Sequence, residues 1–348
     1  MLEEKPLIYD YDQPFLQDLM REWGEPAYRA KQIWQGIYRN LKQSPFEIPN
    51  LPRALARRLE DIFSFFSLTP VTTVNSSDGE TTKTLFHLSN ASGIEAVLMR
   101  YERRRTLCIS TQAGCAMGCV FCATGQMGFR RNLTSGQIIE QVIYYARLLA
   151  DQNAHVANIV LMGMGEPFHN YEQTMSAIDR LNHPEGFNLG ARRFTLSTVG
   201  LVPQIYRFTK ERRQVNLAIS LHAAEDDLRN KLIPINRKYP LDILFGACRQ
   251  YVDKTHRRLT FEWALIHGVN DSLDQARLLA ERLRGMLCHV NVIPLNPTKR
   301  YTGQATPRHR VEAFKKELEN NGIPCTIRIR RGIDIQAGCG QLAIEAVR

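Results

Sequence analysis

Residues 114–128, GCAMGCVFCATGQMG, set Cys115, Cys119 and Cys122 in a C-x3-C-x2-C spacing inside a Gly-rich loop. A short apolar run, Thr106 to Ser110, leads into the loop and a helical pattern follows it. Three thiolates on such a loop can close on one metal centre, and no fourth cysteine lies close by in the sequence. Structural zinc takes four protein ligands, usually as two pairs. Three cysteines therefore suit an iron-sulfur cluster with one iron left open for chemistry.

Downstream of Thr106 the chain alternates strand and helix. Strands read at 106–111, 157–162, 193–198, 215–221, 258–266, 289–295 and 324–330, with helical stretches between most of them. The helix expected over 134–151 is typical: Thr134 can cap it, and Ile138, Ile139, Val142, Tyr145 and Leu148 line one face. Repeated strand-helix-strand units predict a parallel sheet with helices outside, closed into a full or partial barrel rather than split into two domains.

Upstream, the pattern from Val71 to Met99 is strand-like. Lys83 to Leu88 and Ile94 to Met99 read as a hairpin across the polar turn Ser89 to Gly93, and Glu95 stands at the start of the second strand. Local sequence alone makes Glu95 a solvated carboxylate. Residues 13–66 read as helices, with Phe15, Leu16, Leu19, Met20 and Trp23 on one stripe and Ile33, Trp34, Ile37, Tyr38 and Leu41 on another. Helical spacing assigns these aromatics to a core rather than to stacking on a ligand. The expected layout is a helical accessory domain over 1–68, a hairpin extension over 69–105 and a barrel over 106–348.

In a barrel of this kind the reactive residues stand at the C-terminal ends of strands. The cysteine loop follows the first strand. Gly163, Gly165 and Glu166 follow the second in LMGMGEP, Ser197 and Thr198 end the third, Ser220 and His222 end the fourth in ISLHA, and Asn296 follows the sixth in IPLNP. Taken singly, a glycine turn or a strand-end serine is more often structural. Together they outline a pocket for a small zwitterion: Glu166 for an ammonium, Ser197 and Ser220 for a carboxylate or ribose hydroxyl, Asn296 for both donor and acceptor. S-adenosylmethionine (SAM) has that outline.

The chain of 348 residues can bury a large core. Its net charge of +10 points to an anionic partner. The basic groups Arg103 to Arg105, Arg130 and Arg131, Arg192 and Arg193, Arg257 and Arg258, and Arg328 to Arg331 are spread as a broad nucleic-acid face would be, or as a solvated basic surface would be. Eight cysteines without an apolar leader fit a cytoplasmic protein with reduced thiols, and no run approaches a membrane span.

The three-cysteine loop, with an aromatic before its last cysteine, resembles the radical SAM superfamily. More narrowly, TLCISTQAGCAMGCVFCATG, MGMGEP, LSTVG, SLHA, LIPIN, GVNDS, IPLNP and DIQAGCGQL, in this order, resemble the RlmN and Cfr family of RNA adenine methyltransferases. The match runs from about Glu95 to Leu342, and YRAKQIW resembles the family's accessory domain. Pro167 in GMGEP and the spacing of Gln336 from Cys339 are closer to RlmN, which modifies adenine C2, than to Cfr, which modifies C8. Gly338 departs from the alanine of many RlmN-like sequences.

The resemblance implies an α/β fold: a partial TIM-like (β/α)6 radical SAM barrel with a hairpin extension and an accessory domain. It implies that Cys115, Cys119 and Cys122 ligate a 4Fe-4S cluster and that Gly165, Glu166, Ser197, Ser220, Leu221, His222 and Asn296 contact SAM. It makes Cys339 the methyl-carrying cysteine, Cys108 the resolving cysteine that forms a transient disulfide with it, and Glu95 the proton acceptor. Adenine C2 is not nucleophilic, so a polar methyl transfer is closed to it and a radical route is needed, with two SAM molecules per turnover. The side chain of His222 need not be catalytic, since it could act through its backbone or only pack. Cys248, Cys288 and Cys325 read as buried cysteines.

Implied partners are 23S ribosomal RNA at its peptidyl transferase centre, tRNA beside the anticodon and a flavodoxin-like electron donor, with a monomer as the default. Two other readings stand beside this one: C8 methylation of the Cfr type, and a zinc-stabilised RNA-binding module without catalysis. The second leaves Cys108, Cys339 and the strand-end residues unexplained.

Overall fold

The computed structural model describes residues 5–88 and 92–343. Ten of its strands form one sheet. A meander of β1 (Thr69–Asn75), β2 (Thr81–His87) and β3 (Gly93–Tyr101) runs antiparallel into β4 (Arg104–Cys108). From β4 onward the pairing is parallel and follows chain order through β7 (Asn158–Leu161), β8 (Phe194–Thr198), β9 (Asn216–Ser220), β10 (Leu259–Leu265), β11 (Cys288–Pro294) and β12 (Cys325–Ile327). Sequential parallel order with a helical crossover at each step winds the sheet in one direction, the arrangement of the expected (β/α)6 barrel. β1 and β12 remain the sheet's edges, so the barrel is open.

The crossovers carry α5 (Ser135–Ala150), α6 (Tyr171–Asn182), α7 (Val202–Glu211), α8 (Asp226–Leu232) with α9 (Leu241–Thr255), α10 (Leu273–Leu283) and α11 (Arg308–Asn320). α5 begins where Thr134 was expected to cap it: Thr134 Oγ1 accepts from the Gln137 N–H at 3.2 Å, and Gln137 Oε1 accepts from the Thr134 N–H at 3.2 Å. This reciprocal box satisfies two of the orphan donors of the first turn.

The accessory helices are α1 (Gln13–Glu22), α2 (Tyr28–Tyr38) and α3 (Arg53–Ile62). Leu16, Met20, Ile33, Trp34, Ile37 and Tyr38 are fully buried, as their spacing predicted, whereas Phe15 is exposed and stacks on Tyr11. The helices dock on the barrel through backbone-directed polar contacts. The Asp10 carboxylate accepts from the Gly136 N–H at 2.7 Å at the positive end of α5, Arg147 donates to the carbonyl of Leu41, and Arg180 donates to that of Tyr9.

Three features differ from the sequence reading. The hairpin is part of a three-stranded meander continuous with the barrel sheet, because β3 pairs with β4. Residues 89–91 of its turn lie outside the described residues. The strand expected over 324–330 stops at Ile327, and the chain then turns across the open side of the barrel, where Arg331 donates to the carbonyl of Arg100 at 3.2 Å. A small ribbon of β5 (Gln112–Gly114) and β6 (Phe129–Asn132) flanks the cysteine loop, with the one-turn helix α4 (Ala123–Met127) inside it.

Candidate active site

The strand ends converge on one cavity. Cys115, Cys119, Cys122, Gly165, Glu166, Ser197, Ser220, His222, Asn296 and Cys339 all line it. Glu95, Cys108 and Leu221 do not.

The cysteine loop is tied down at both ends. Gly114 has φ +75°, and a Cβ there would stand 2.0 Å from the carbonyl oxygen of Gly128, so only glycine closes the loop's neck. The Ala123 N–H donates to the Gly340 carbonyl at 2.8 Å and Thr124 Oγ1 to the Leu342 carbonyl at 2.6 Å. The segment around Cys339 thereby closes directly onto the cluster loop. Burial pushes the Cys115 thiol up to about 12. It pushes Cys119 well above the ordinary thiol range, with the neighbouring Cys122 and Cys115 adding to the effect. Buried cysteines this close together suit a cationic centre, which deprotonates coordinating thiols outright. Among the described residues no group of three or more His, Cys, Asp and Glu side chains is gathered as a ready single-ion site. The three thiols share a cavity wall, and with no fourth cysteine beside them the donor set fits a cluster that keeps one iron open.

Beside that wall, Glu166 is buried and its two oxygens accept from the N–H groups of Phe168 at 3.0 Å and Val199 at 2.9 Å. Burial pushes its carboxyl up to about 7 against those two bonds. Gly165 has φ +103°, and a Cβ would stand 2.6 Å from the Gln112 side chain. Ser197 Oγ and Ser220 Oγ lie 3.1 Å apart across β8 and β9. Asn296 donates from Nδ2 to the Cys339 carbonyl at 3.0 Å, while its Oδ1 is buried without a partner. An acceptor left open in a cavity with a buried carboxylate and paired hydroxyls is what an amino-acid-bearing cofactor would complete.

His222 lines the cavity, and its side chain is also tied into the fold. Its Nδ1 accepts from the Ala264 N–H at 2.8 Å, which leaves the ring proton on Nε2, and its ring meets Phe121 edge to face at 4.9 Å. Burial, with the charge of Arg229 second, holds its pKa down at about 3. Its φ of +60° turns the chain at the end of β9. Leu221 is fully buried, and its carbonyl accepts from Arg229 Nε at 3.0 Å.

Cys339 remains solvent-accessible, but protein crowds its thiol and pushes it up to about 11, with Arg328 pulling down and Glu262 and Cys122 adding to the rise. Cys108 is half-buried and pushed up to about 12 by burial first and by Cys339 second. Cys339 thus lies within electrostatic reach of a cluster cysteine on one side and of Cys108 on the other. Both are free thiols. Cys248, Cys288 and Cys325 are buried away from the cavity, as expected.

The basic groups do not form one face. Arg192, Arg257 and Arg258 line a separate polar cavity at the starts of β8 and β10, the opposite end of the barrel from Ser197 and Ser220. Arg104 and Arg331 converge instead: their guanidinium groups lie 4.7 Å and 4.6 Å from the Tyr101 ring. Arg328 turns inward towards Glu262, Cys339 and Cys108.

Three residues were missed by the sequence reading. Arg229 is almost fully buried beneath the strand ends and donates to the carbonyls of Leu221, Val199 and Ser220 and to Asn236 Oδ1. Glu262, in the middle of β10, lines the cavity with one oxygen unpartnered and the other accepting from Asn291. Lys83 pairs with Glu95 at 2.9 Å. Charged residues in a helix or strand read as solvated; only the alternation of β10, which points Glu262 inward, carried a signal.

With this geometry in place, the comparisons decide the family. The Radical SAM superfamily pattern matches residues 109–280. The chain is 47% identical to a probable dual-specificity RNA methyltransferase RlmN of Chloroflexus aurantiacus, over 98% of this chain and 93% of the relative. It is 49% identical to dual-specificity RNA methyltransferase RlmN 1 of Myxococcus xanthus, over 98% of this chain and 95% of the relative. The chain belongs to the RlmN family of radical SAM enzymes. A crystal structure of a radical SAM methyltransferase from Sphaerobacter thermophilus superposes with a TM-score of 0.96 at 49% identity, covering 98% of this chain and all of that one. The RlmN membership carries the cluster and SAM as cofactors, makes the zinc-module reading untenable, and lends nothing to the Cfr alternative.

Proposed function

We propose that the chain methylates adenine C2 in RNA, using Cys339 as the methyl carrier. The observation that supports this most directly is the closure of the Cys339 segment onto the cluster loop through Ala123 and Thr124, which brings two sites more than two hundred residues apart in sequence to one cavity. The dual specificity printed in the relatives' names supports two RNA substrates, and we propose 23S rRNA and tRNA as the pair. A base reaching this cavity at the strand ends must be unstacked, which favours loops over helical RNA.

The cluster and SAM, when bound, supply a methyl group and a 5'-deoxyadenosyl radical. Cys115, Cys119 and Cys122 hold the cluster. Glu166, Ser197, Ser220 and Asn296 fix the cofactor's polar groups, and Gly165 admits its close approach. The Cys339 thiol gives up its proton and takes the methyl group, and its S-methyl carbon, once stripped of a hydrogen atom, adds to C2. Glu95 takes the C2 proton, and the unpaired electron left on the adduct would pass back to the cluster, so that the adduct is closed-shell before its sulfur is attacked. The Cys108 thiolate then attacks the Cys339 sulfur: an S–S bond forms, the bond from sulfur to the methylene carbon breaks, and that carbon keeps the electron pair and gains a proton. Cys339 and Cys108 end oxidised as a disulfide, which takes two electrons from an external reductant to reset, and a low-potential donor of the flavodoxin type would serve the cluster. No helix among the described residues is long and apolar enough to cross a membrane.

Anaerobic reaction of the reconstituted protein with rRNA and tRNA fragments, followed by nucleoside mass spectrometry, tests the proposal. 2-Methyladenosine in both fragments supports it; 8-methyladenosine, or no methylated adenosine, overturns it.

A further inference from the structure

Glu95 does not line the cavity, although the reading above makes it the base. It is joined instead to the segment that follows Cys339: Leu342 lines the cavity, and the next residue, Ala343, donates its N–H to Glu95 Oε2 at 2.9 Å. The other carboxylate oxygen, Oε1, lies 2.9 Å from Lys83 Nζ, and both side chains are largely buried. Lys83 also donates to the carbonyl of Gln336 at 3.3 Å. In the β2–β3 register Lys83 is opposite Val97, so Lys83 and Glu95 form a diagonal pair on one face of the sheet. One ammonium and one carboxylate therefore fasten the segment on both sides of Cys339, at Gln336 and at Ala343.

We propose that Lys83 is a positioning residue: with Glu95 it latches the Cys339 segment, and the proton that Glu95 takes from the base releases the latch. This inference rests on the roles given above to Glu95 and Cys339. An ammonium in contact favours the charged carboxylate, the form a base requires, and a charged acceptor holds an N–H about twice as strongly as a neutral one. When the proton leaves C2 for a Glu95 oxygen, the C–H bond pair stays with the ring. The carboxyl becomes neutral, and the ion pair to Lys83 and the charged bond to Ala343 weaken together. The segment is then free to move just as Cys108 must reach the Cys339 sulfur. Chemistry and release are linked through one proton.

The experiment compares wild type, Lys83→Met, Lys83→Arg and Glu95→Gln as reconstituted holoenzymes. Hydrogen exchange over residues 336–343 is measured without RNA, and covalent protein–RNA adduct and released product are measured in single turnover. In Lys83→Met we expect exchange at Ala343 faster by on the order of tenfold or more, the loss of a charge-assisted bond, together with adduct accumulating and kcat falling at unchanged KM. Lys83→Arg should restore both, and Glu95→Gln should match Lys83→Met in exchange. Wild-type exchange in Lys83→Met and Glu95→Gln overturns the latch, as does loss of turnover in Lys83→Met that Lys83→Arg does not rescue. If Lys83→Met does not fold, Glu95→Gln carries the exchange test alone. Normal turnover by Glu95→Gln would instead remove Glu95 as the base, whatever the exchange shows.

Discussion

The Asn296 carboxamide holds the backbone of Cys339 at 3.0 Å with its nitrogen while its oxygen stays buried and unpartnered. One side chain thus joins Cys339 to the wall proposed to hold the cofactor. Replacing Asn296 by Ala should weaken SAM binding by roughly tenfold or more, the worth of a buried hydrogen bond, with iron content unchanged. Equilibrium dialysis measures this, and unaltered affinity would take Asn296 out of the cofactor set.

Cys108 and Cys339, the two cysteines proposed to react, should separate cleanly by variant. Cys108→Ala is expected to form the RNA adduct and release it poorly, so that protein and RNA co-purify. Cys339→Ala should form none. Methylated RNA from the Cys339→Ala enzyme would refute the carrier assignment.

Gly114 closes the neck of the cluster loop in a left-handed conformation, 2.0 Å from the Gly128 oxygen by its would-be Cβ. Gly114→Ala should cost at least ~1–2 kcal/mol from the backbone alone, with the clash added. Iron and sulfide per chain after reconstitution should fall well below wild type. Full loading would show that the loop can reform around a methyl group.

Stability should depend on Glu140, which accepts from the N–H groups of Ser67 and Leu68 where the accessory domain meets α5. Burial pushes its carboxyl from 4.5 up to about 7, against the hydrogen bonds. A carboxyl that binds its proton more tightly when folded contributes its full stability below pH 4.5 and loses it as the pH rises through about 7. The melting temperature of the wild type should therefore decline from pH 5 to pH 8, and Glu140→Gln should flatten that slope. A parallel slope in both proteins would contradict it.

RNA contacts are expected where Arg104 and Arg331 flank Tyr101, not at the far cavity of Arg192 and Arg257. Each Ala variant of the first pair should reduce the salt dependence of RNA binding by about one phosphate contact. Arg257→Ala should leave it unchanged. The reverse pattern would move the RNA to the other end of the barrel.

The parallel strands and the cavity-lining residues were legible because strand ends in a singly wound sheet must share a mouth, and each motif carries its strand with it. The ten-stranded continuity was not, since β1 is a wholly exposed strand whose threonines carry no burial signal. Arg229 and Lys83 were hidden for a related reason: a charge that caps carbonyls or a carboxylate inside a fold looks, in sequence, like any surface charge. Gly338 acquires a meaning only in space, where a Cβ would stand 2.7 Å from Asn296 Nδ2.

The fastening of Thr124 to Leu342 spans 218 residues. On a growing chain the three thiols of the loop are complete long before the segment that covers them exists. At roughly 5–20 residues per second, that interval lasts about 10–40 s. During synthesis the loop is an open mouth, accessible to whatever delivers iron and sulfide and equally to oxidants, and the arrival of the Cys339 segment ends that exposure.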